Sequence, residues 1–257
     1  MKTFRHPQRP RKSSLVIGPE AVLTALREGR ALDRIYFDNR ATGQLFDELR
    51  SLARVQNVPV NYVPTAKLNN FNAGEHKGCI AQLAKVHYYE LQDIINQVLE
   101  SGEAPLFLIL DGITDIRNIG GIARTAWCCG VHAIIIPDKG VGALNEDALL
   151  TSAGALEKIP FCRVNSLMKA VDELHLNGIQ VLATEMEGSE LLYETKLTEP
   201  VAIVMGSEEK GVYPALLKQC DGRIRIPMKG DFESLNVSVA TGIVLYEAMK
   251  QRLQLNS

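Results

Sequence analysis

Along the first part of the chain, apolar positions alternate between a helical and a strand period. After Pro19, the residues Ala21, Val22, Ala25 and Leu26 fall at helical spacing and Gly29 supplies a stop, which predicts a helix. DRIYFD (33–38) reads as a strand, QLFDELRSLARVQ (44–56) as a helix and VPVNYV (58–63) as a strand. A short helix follows around 65–71, then CIAQLA (79–84) as a further strand. This is the pattern of a small α/β domain, placed over residues 1–90. The next segment has one apolar face (Leu91, Ile94, Ile95, Val98, Leu99) and ends in SGEAP. It reads as a linking helix over 91–104, with a second domain over 105–257.

The second part patterns differently. PLFLIL (105–110), HAIIIP (132–137), IQVLAT (179–184) and VAIVM (201–205) are apolar at nearly every position. A strand with two apolar faces belongs in a parallel sheet covered by helices on both sides. Helical patterns at 119–129, 145–151, 166–177 and 213–219 accompany these runs, and a last helix extends to about residue 253. The alternation predicts a doubly covered parallel sheet, whose ligands sit beyond the carboxyl ends of the strands.

Composition adds exclusions. With 46% hydrophobic and 23% charged residues, the chain is neither disordered, collagen-like nor a disulfide scaffold. No run approaches the roughly 18–20 unbroken apolar residues of a membrane span. The charged start MKTFRHPQRPRKSS has no apolar segment behind it, so no secretory signal is visible. Five cysteines (Cys79, Cys128, Cys129, Cys162, Cys220) without a CxxC spacing read as reduced thiols of a cytoplasmic protein. The formal net charge of −2 hides an asymmetry: residues 1–90 carry 14 Lys and Arg against 8 Asp and Glu, and residues 91–257 carry 14 against 22. A basic first part points to a polyanionic partner. Five of its cations (Lys2, Arg5, Arg9, Arg11, Lys12) stand in a Pro-containing arm over 1–14, for which solubility alone is an equal explanation.

Three segments carry residues suited to chemistry. In DGITDIRNIGGIAR (111–124), Asn118 is a good helix N-cap, and Gly120 and Gly121 lower helix propensity where Ala would serve. Arg124, one turn beyond Gly120, can lean back over the two glycines. Either a cation and an amide meet at a helix mouth, or this is a capped helix with a surface arginine. GSEEKG (206–211) has Val212 where a phosphate loop needs Lys, and GVGALN (140–145) lacks the third glycine of a dinucleotide fingerprint. A nucleotide-phosphate site is disfavoured, and with it a nucleotide-binding oxidoreductase; a Gly-bounded turn with solvated charges is the plain alternative. IPMKGDFESLNVSVATG (226–242) alternates polar Ser234, Asn236 and Ser238 with apolar Leu235, Val237 and Val239. The helical pattern that follows makes it a loop feeding a helix. No His/Cys cluster has ligand spacing, so no metal is expected.

Taken jointly, these segments resemble the three motifs of the SpoU/TrmH family of RNA ribose 2′-O-methyltransferases, in the SPOUT superfamily. The first is similar to DxxTDxxNxGxxxRTA, here with Asn118, Gly120 and Arg124 followed by Thr125-Ala126. The second is similar to a strand ending in GxExxG, here Gly206, Glu208 and Gly211. The third fits IPMxGxxxSLNVSVATGI over 226–243 almost letter for letter. Ile17-Gly18 and His76-Lys77-Gly78 resemble the family's N-terminal RNA-binding domain, with Lys77 in place of the usual Gln.

The resemblance implies an α/β fold with a small N-terminal RNA-binding domain and a parallel-sheet catalytic domain ending in a trefoil knot. Physical expectation runs against a knot, because threaded chains are nearly absent from known folds; the knot rests on the resemblance alone. S-adenosylmethionine is the implied cofactor, held in the knot crevice by main-chain groups of Gly206, Ile226 and Leu235. The implied active-site positions are Asn118, Arg124, Glu208, Ser234 and Asn236. The implied reaction is methyl transfer to a ribose 2′-hydroxyl of RNA, most like that of the bacterial large-subunit ribosomal RNA guanosine enzymes. A transfer-RNA enzyme shares the motifs, and a non-catalytic RNA-binding module is the alternative outside the class. A homodimer is also implied, and Ala240, Gly242 and Ala248 on the last helix are small enough for close helix packing.

Overall fold

The computed structural model describes residues 15–71, 73–84, 86–138, 151–231 and 234–255. The chain divides into two compact units, Met1–Lys85 and Val86–Ser257. The basic arm and the helical pattern at 145–151 lie outside the described residues except for Thr151.

In the first unit, β1 (Leu15–Ile17), β2 (Leu32–Asp38), β3 (Val60–Val63) and β4 (Cys79–Leu83) form a sheet in the order β1-β4-β2-β3. β4 is antiparallel to both neighbours, and β2 is parallel to β3 with Phe37 opposite Tyr62. The helices α1 (Pro19–Arg27) and α2 (Gln44–Val55) bury Val22, Leu26, Leu49 and Ala53 against Ile35 and Phe37. The short α3 (Thr65–Asn69) places Leu68 with Leu15, Val63 and Ile80 in a second, smaller cluster. The elements predicted for this unit all form. β1 has three residues, too few to show a period.

Among the described residues of the second unit, eight parallel strands stand side by side. They are β5 (Tyr88–Tyr89), β6 (Leu106–Leu110), β7 (Ala133–Pro137), β8 (Phe161–Val164), β9 (Gln180–Thr184), β10 (Glu190–Leu191), β11 (Val201–Met205) and β12 (Gly222–Arg225), in the order β10-β12-β9-β11-β6-β7-β8-β5. Each central strand divides its residues between two cores. Leu106, Leu108 and Leu110 of β6 face the layer built by α5 (Ile116–Cys128) and α8 (Val237–Leu255). Phe107 and Ile109 face the layer built by α4 (Leu91–Ser101), α6 (Leu167–Leu176) and α7 (Pro214–Leu217). Burial on both faces is why these strands read as unbroken apolar runs.

Two readings are corrected. The helix over 91–101 is not a linker: Leu91, Ile94, Ile95 and Val98 pack into the second core, and Tyr88-Tyr89 pairs with β8 at the sheet edge. The boundary therefore falls after Lys85. Strands β5, β8, β10 and β12 stand outside the predicted set; β5 and β10 have two residues each, and in FCRV and GRIR arginines interrupt the apolar run. In β12, Arg223 and Arg225 point outward while Ile224 is buried; in β8, buried Arg163 stacks 4.0 Å over the Tyr88 ring. No described helix is long and apolar enough to cross a membrane.

Because α4 belongs to the core, Ile95→Ala, at a fully buried position, should destabilise the chain by about 2–5 kcal/mol in urea unfolding. Leu99→Ala on the same helix, where the side chain is 44% exposed, should cost about 0.5 kcal/mol. Equal effects at the two positions would return α4 to a linker.

Candidate active site

The carboxyl ends of β9, β11 and β12 open onto one cleft of about 420 Å³. Its walls are Thr184 to Glu187 after β9, Gly206 to Glu209 after β11, Ile226 and Met228 after β12, and Ser234 and Leu235 ahead of α8. Ligands are expected at this end of an open parallel sheet.

Two backbone crossings shape the cleft. Ser207 and Gly211 exchange backbone hydrogen bonds of 3.1 and 2.9 Å, folding GSEEKG into a tight turn, and Gly211 takes a left-handed φ of 63°. A β-carbon on Gly206 would lie 2.2 Å from the Gly211 carbonyl carbon and 2.3 Å from the Val212 nitrogen. A β-carbon on Gly188 would lie 2.7 Å from the carbonyl carbon of Ile224. Backbone meets backbone at both points, so neither neighbour can yield as a flexible side chain would.

The turn delivers Glu208 to the first turns of two helices. Glu208 Oε1 accepts from Asn236 Nδ2 at 2.6 Å, from the Val237 backbone N–H at 3.1 Å and from Asn118 Nδ2 at 3.3 Å. Asn236 Nδ2 also donates to Asn118 Oδ1 at 3.2 Å. Asn236 Oδ1 in turn accepts the Ser238 N–H at 3.0 Å, which makes Asn236 the cap of α8. The carboxylate thus sits at the positive end of the α8 dipole, with the first turn of α5 beside it.

The N-cap of α5 is Asp115, not Asn118: its carboxylate accepts the Arg117 N–H at 2.9 Å. Hydrogen bonds from the Arg117 side chain and backbone hold the Asp115 carboxyl below its usual range. With the cap supplied three residues earlier, the Asn118 amide is available to Glu208 and Asn236. Asp111, Asp115 and Ser238 are lettered positions of the quoted motifs to which the sequence reading gives no role. Asp111 Oδ2 accepts the Tyr213 N–H at 2.6 Å, pinning the far end of the 207–211 turn to the end of β6.

The structure therefore brings Asn118, Glu208 and Asn236 into one hydrogen-bonded group, and sets Gly206, Glu208, Ile226, Ser234 and Leu235 around one cleft. Arg124 is in neither set: it is exposed on α5 and makes no hydrogen bond or ion pair with a described residue. What approaches Gly121 is α8, since a β-carbon there would lie 3.6 Å from Ser238 Cβ. Gly242 faces Thr125 of α5 in the same way, and Ala248 is fully buried. These contacts pack α8 within the chain, and Gly242 also lines a groove beside Val239, Ile243 and Tyr246. Val239, Ile243 and Tyr246 are exposed apolar residues of α8, as are Leu253 and Leu255 near its end.

The cleft fits S-adenosylmethionine chemically. Ile226, Met228 and Leu235 offer apolar contact to a purine ring. Exposed main chain at the strand ends can pair with ring nitrogens and a carboxylate. Glu187 and Glu208 supply negative charge toward a sulfonium, while Glu185 is engaged by Arg223 at 3.5 Å.

A parallel sheet with a ligand-sized cleft beyond its strand ends is the architecture of an α/β enzyme, and likeness to known proteins identifies it as the SPOUT fold of the SpoU/TrmH methyltransferases. The chain belongs to the SpoU/TrmH family of RNA methyltransferases. The profile of the SpoU rRNA Methylase family matches residues 105–246, and that of the RNA 2′-O ribose methyltransferase substrate-binding family matches residues 15–89. The chain is 37% identical over 238 residues to the putative TrmH family tRNA/rRNA methyltransferase YacO of Bacillus subtilis, covering 92% of this chain and 95% of that one. It is 37% identical over 248 residues to the 23S rRNA (guanosine-2′-O-)-methyltransferase RlmB of Ralstonia nicotianae, covering 94% and 97%. Among solved structures, the SpoU methyltransferase AviRb of Streptomyces viridochromogenes in complex with AdoMet superposes with a TM-score of 0.60 at 25% identity, covering 93% of this chain and 90% of that one. The protein is an S-adenosylmethionine-dependent RNA ribose 2′-O-methyltransferase of this family, with an N-terminal substrate-binding domain and a parallel-sheet catalytic domain.

The Gly206 crossing leaves no room for even one methyl group. Gly206→Ala should lower S-adenosylmethionine affinity at least tenfold in calorimetric titration and reduce the melting temperature. Gly230→Ala, which meets nothing within 4 Å, should do neither. Wild-type affinity in Gly206→Ala would remove this crossing from the cofactor site.

Proposed function

We propose that the chain methylates the 2′-hydroxyl of a guanosine in large-subunit ribosomal RNA. The observation that carries the site assignment is the convergence of Asn118, Glu208 and Asn236 beside the cleft lined by Gly206, Ile226, Ser234 and Leu235. The choice of RNA is supported by likeness, over nearly the full length of both chains, to the Ralstonia enzyme whose name specifies 23S rRNA guanosine. The name of the Bacillus relative covers tRNA as well, so both RNAs belong in the test.

Bound S-adenosylmethionine supplies an electrophilic methyl group on a sulfonium that is already a leaving group. What remains for the protein is alignment of the acceptor and stabilisation of the alkoxide that develops as the weakly acidic hydroxyl gives its proton to solvent. Alignment can contribute about 7–11 kcal/mol. Main-chain groups at Gly206, Ile226 and Leu235 hold the cofactor. Glu208, whose Oε1 already receives three hydrogen bonds, positions the Asn118 and Asn236 amides. Those amides and the Ser234 hydroxyl orient the acceptor ribose.

Arg124 is assigned to the acceptor side, where its exposure leaves it free to meet RNA. Its guanidinium is a fixed cationic hydrogen-bond donor, so its role is to stabilise the developing alkoxide or the neighbouring phosphate. Arg124→Ala should leave cofactor affinity within a few-fold and lower single-turnover methylation by roughly 10²–10⁴, or about 3–5 kcal/mol. Melting should change by no more than about 0.5 kcal/mol. Tritium transfer from labelled cofactor to ribosomal RNA against transfer RNA, with the product nucleoside identified, tests the substrate. Methylation of tRNA alone, or full activity in Arg124→Ala, would overturn the respective assignment.

The exposed Val239, Ile243 and Tyr246 border an apolar groove with Tyr193 and Pro227. This face is assigned to a two-fold homodimer. Sedimentation should give twice 28.3 kDa at micromolar concentration, and Tyr246→Lys should shift the chain toward monomer. A wild-type monomer would remove the interface.

A further inference from the structure

The cleft beyond β9, β11 and β12 is lined by charge of one sign. Four carboxylates face it, those of Glu185, Glu187, Glu208 and Glu209, and no lysine, arginine or histidine stands among its described lining residues. Two of the four are engaged. Arg223 Nη1 lies 3.5 Å from Glu185 Oε2, and three donors meet at Glu208 Oε1. Glu187 and Glu209 are exposed and make no side-chain hydrogen bond or ion pair with a described residue. Lys210 at the tip of the 207–211 turn and Lys229 after Met228 are exposed neighbours in the chain, but neither lines the cleft. Glu187 also falls outside every motif quoted from the sequence.

Both unengaged carboxylates stand on closed turns. The Glu185 N–H donates to Ile224 O at 2.9 Å and the Gly188 N–H to Glu185 O at 3.4 Å, and Gly188 crosses the backbone of Ile224 with no room for a β-carbon. Glu209 rides the turn closed by Ser207 and Gly211. The negative charge is therefore in place before a ligand arrives, and little reorganisation is needed to use it. The reaction changes the charge that this lining meets. When the methyl group moves to the ribose oxygen, the broken C–S bond leaves its electron pair on sulfur. The sulfonium becomes a neutral thioether, and the hydroxyl proton passes to solvent. Cofactor and product share the adenosine, the ammonium and the carboxylate, so they differ by one methyl group and one positive charge.

We propose that Glu187 and Glu209 make the cleft charge-selective: they favour the sulfonium cofactor over its thioether product, and Arg223 limits that preference by neutralising Glu185. The inference rests on the placing of S-adenosylmethionine in this cleft. A unit charge about 8 Å away in water-like surroundings changes affinity roughly two- to threefold, so two carboxylates supply about fivefold. Loss of that attraction on methyl transfer loosens the hold on the product and favours its release before the next cofactor binds.

The test is calorimetric titration of the full chain with S-adenosylmethionine, S-adenosylhomocysteine and sinefungin, whose protonated amine puts a positive charge where the sulfonium stands. The readout is the ratio of the product's dissociation constant to the cofactor's. Glu187→Gln with Glu209→Gln should lower the ratio about fivefold by weakening S-adenosylmethionine and sinefungin, with S-adenosylhomocysteine unchanged within about twofold. Arg223→Gln, which releases Glu185, should raise the ratio about twofold. Glu100→Gln with Glu194→Gln makes the same change in net charge at exposed positions outside the cleft, and should leave the ratio at its wild-type value. In wild type the ratio should fall as salt rises from about 0.1 to 1 M, because the Debye length shortens from about 10 to about 3 Å. A wild-type ratio in the cleft double variant, an equal fall in the control, or sinefungin binding like S-adenosylhomocysteine would overturn the proposal. Gly206→Ala titrated alongside separates the two readings. If neither Gly206→Ala nor any charge variant alters cofactor affinity, the cleft is not the cofactor site and both readings fail. If Gly206→Ala weakens cofactor binding while the cleft double variant keeps the wild-type ratio, the charge reading fails alone.

Discussion

No β-carbon fits on Gly206, and the geometry of the second unit follows from that. The end of β11 passes directly against the backbone of Gly211 and Val212, so the five residues after it have to fold as a tight turn. The turn carries Glu208 to the first turns of α5 and α8. It also leaves main chain exposed where β9, β11 and β12 end together. A side chain at this one position would push the turn outward and separate the carboxylate from both helices.

Glu208 then converts a packing result into an electrostatic one. The N-terminus of α8 gathers unpaired N–H groups that favour negative charge. One carboxylate oxygen accepts from Val237 of that helix, from its capping residue Asn236 and from Asn118 of α5. Asp111 holds the other side of the turn through Tyr213, so the turn is fastened at both ends. Placement of the polar group therefore depends on rigid strands and helix ends, which a site needs to act on a substrate without rearranging first.

The two units use the same device at different scales. In the second, Glu208 ties a turn to two helices; in the first, Asp38 ties three loops to the end of a sheet. In each case an anionic side chain accepts several hydrogen bonds and fixes loops that hydrophobic burial leaves undetermined. Apolar area fills the cores without preferring one loop conformation, whereas a directional bond does.

Much of this was legible in the chain before any coordinates. The parallel sheet followed from runs such as LFLIL and VAIVM, because burial on both faces removes polar positions from a strand. The cleft residues Gly206, Glu208, Ile226, Ser234 and Leu235 came from the resemblance to the family's motifs, and they line one space. Only the tertiary structure decided that α4 belongs to a core, since an amphipathic helix shows the same stripe whether it links domains or covers a sheet. It also decided that Asp115 rather than Asn118 caps α5, because both residue types cap well and the choice depends on which side chain has a partner elsewhere. The small residues of α8 were readable as close packing but not as packing on α5, and the meaning of Gly206 as a crossing was invisible. Sequence records which residues are apolar, small or polar; which backbone they meet from across 100 positions is set only when the chain closes on itself.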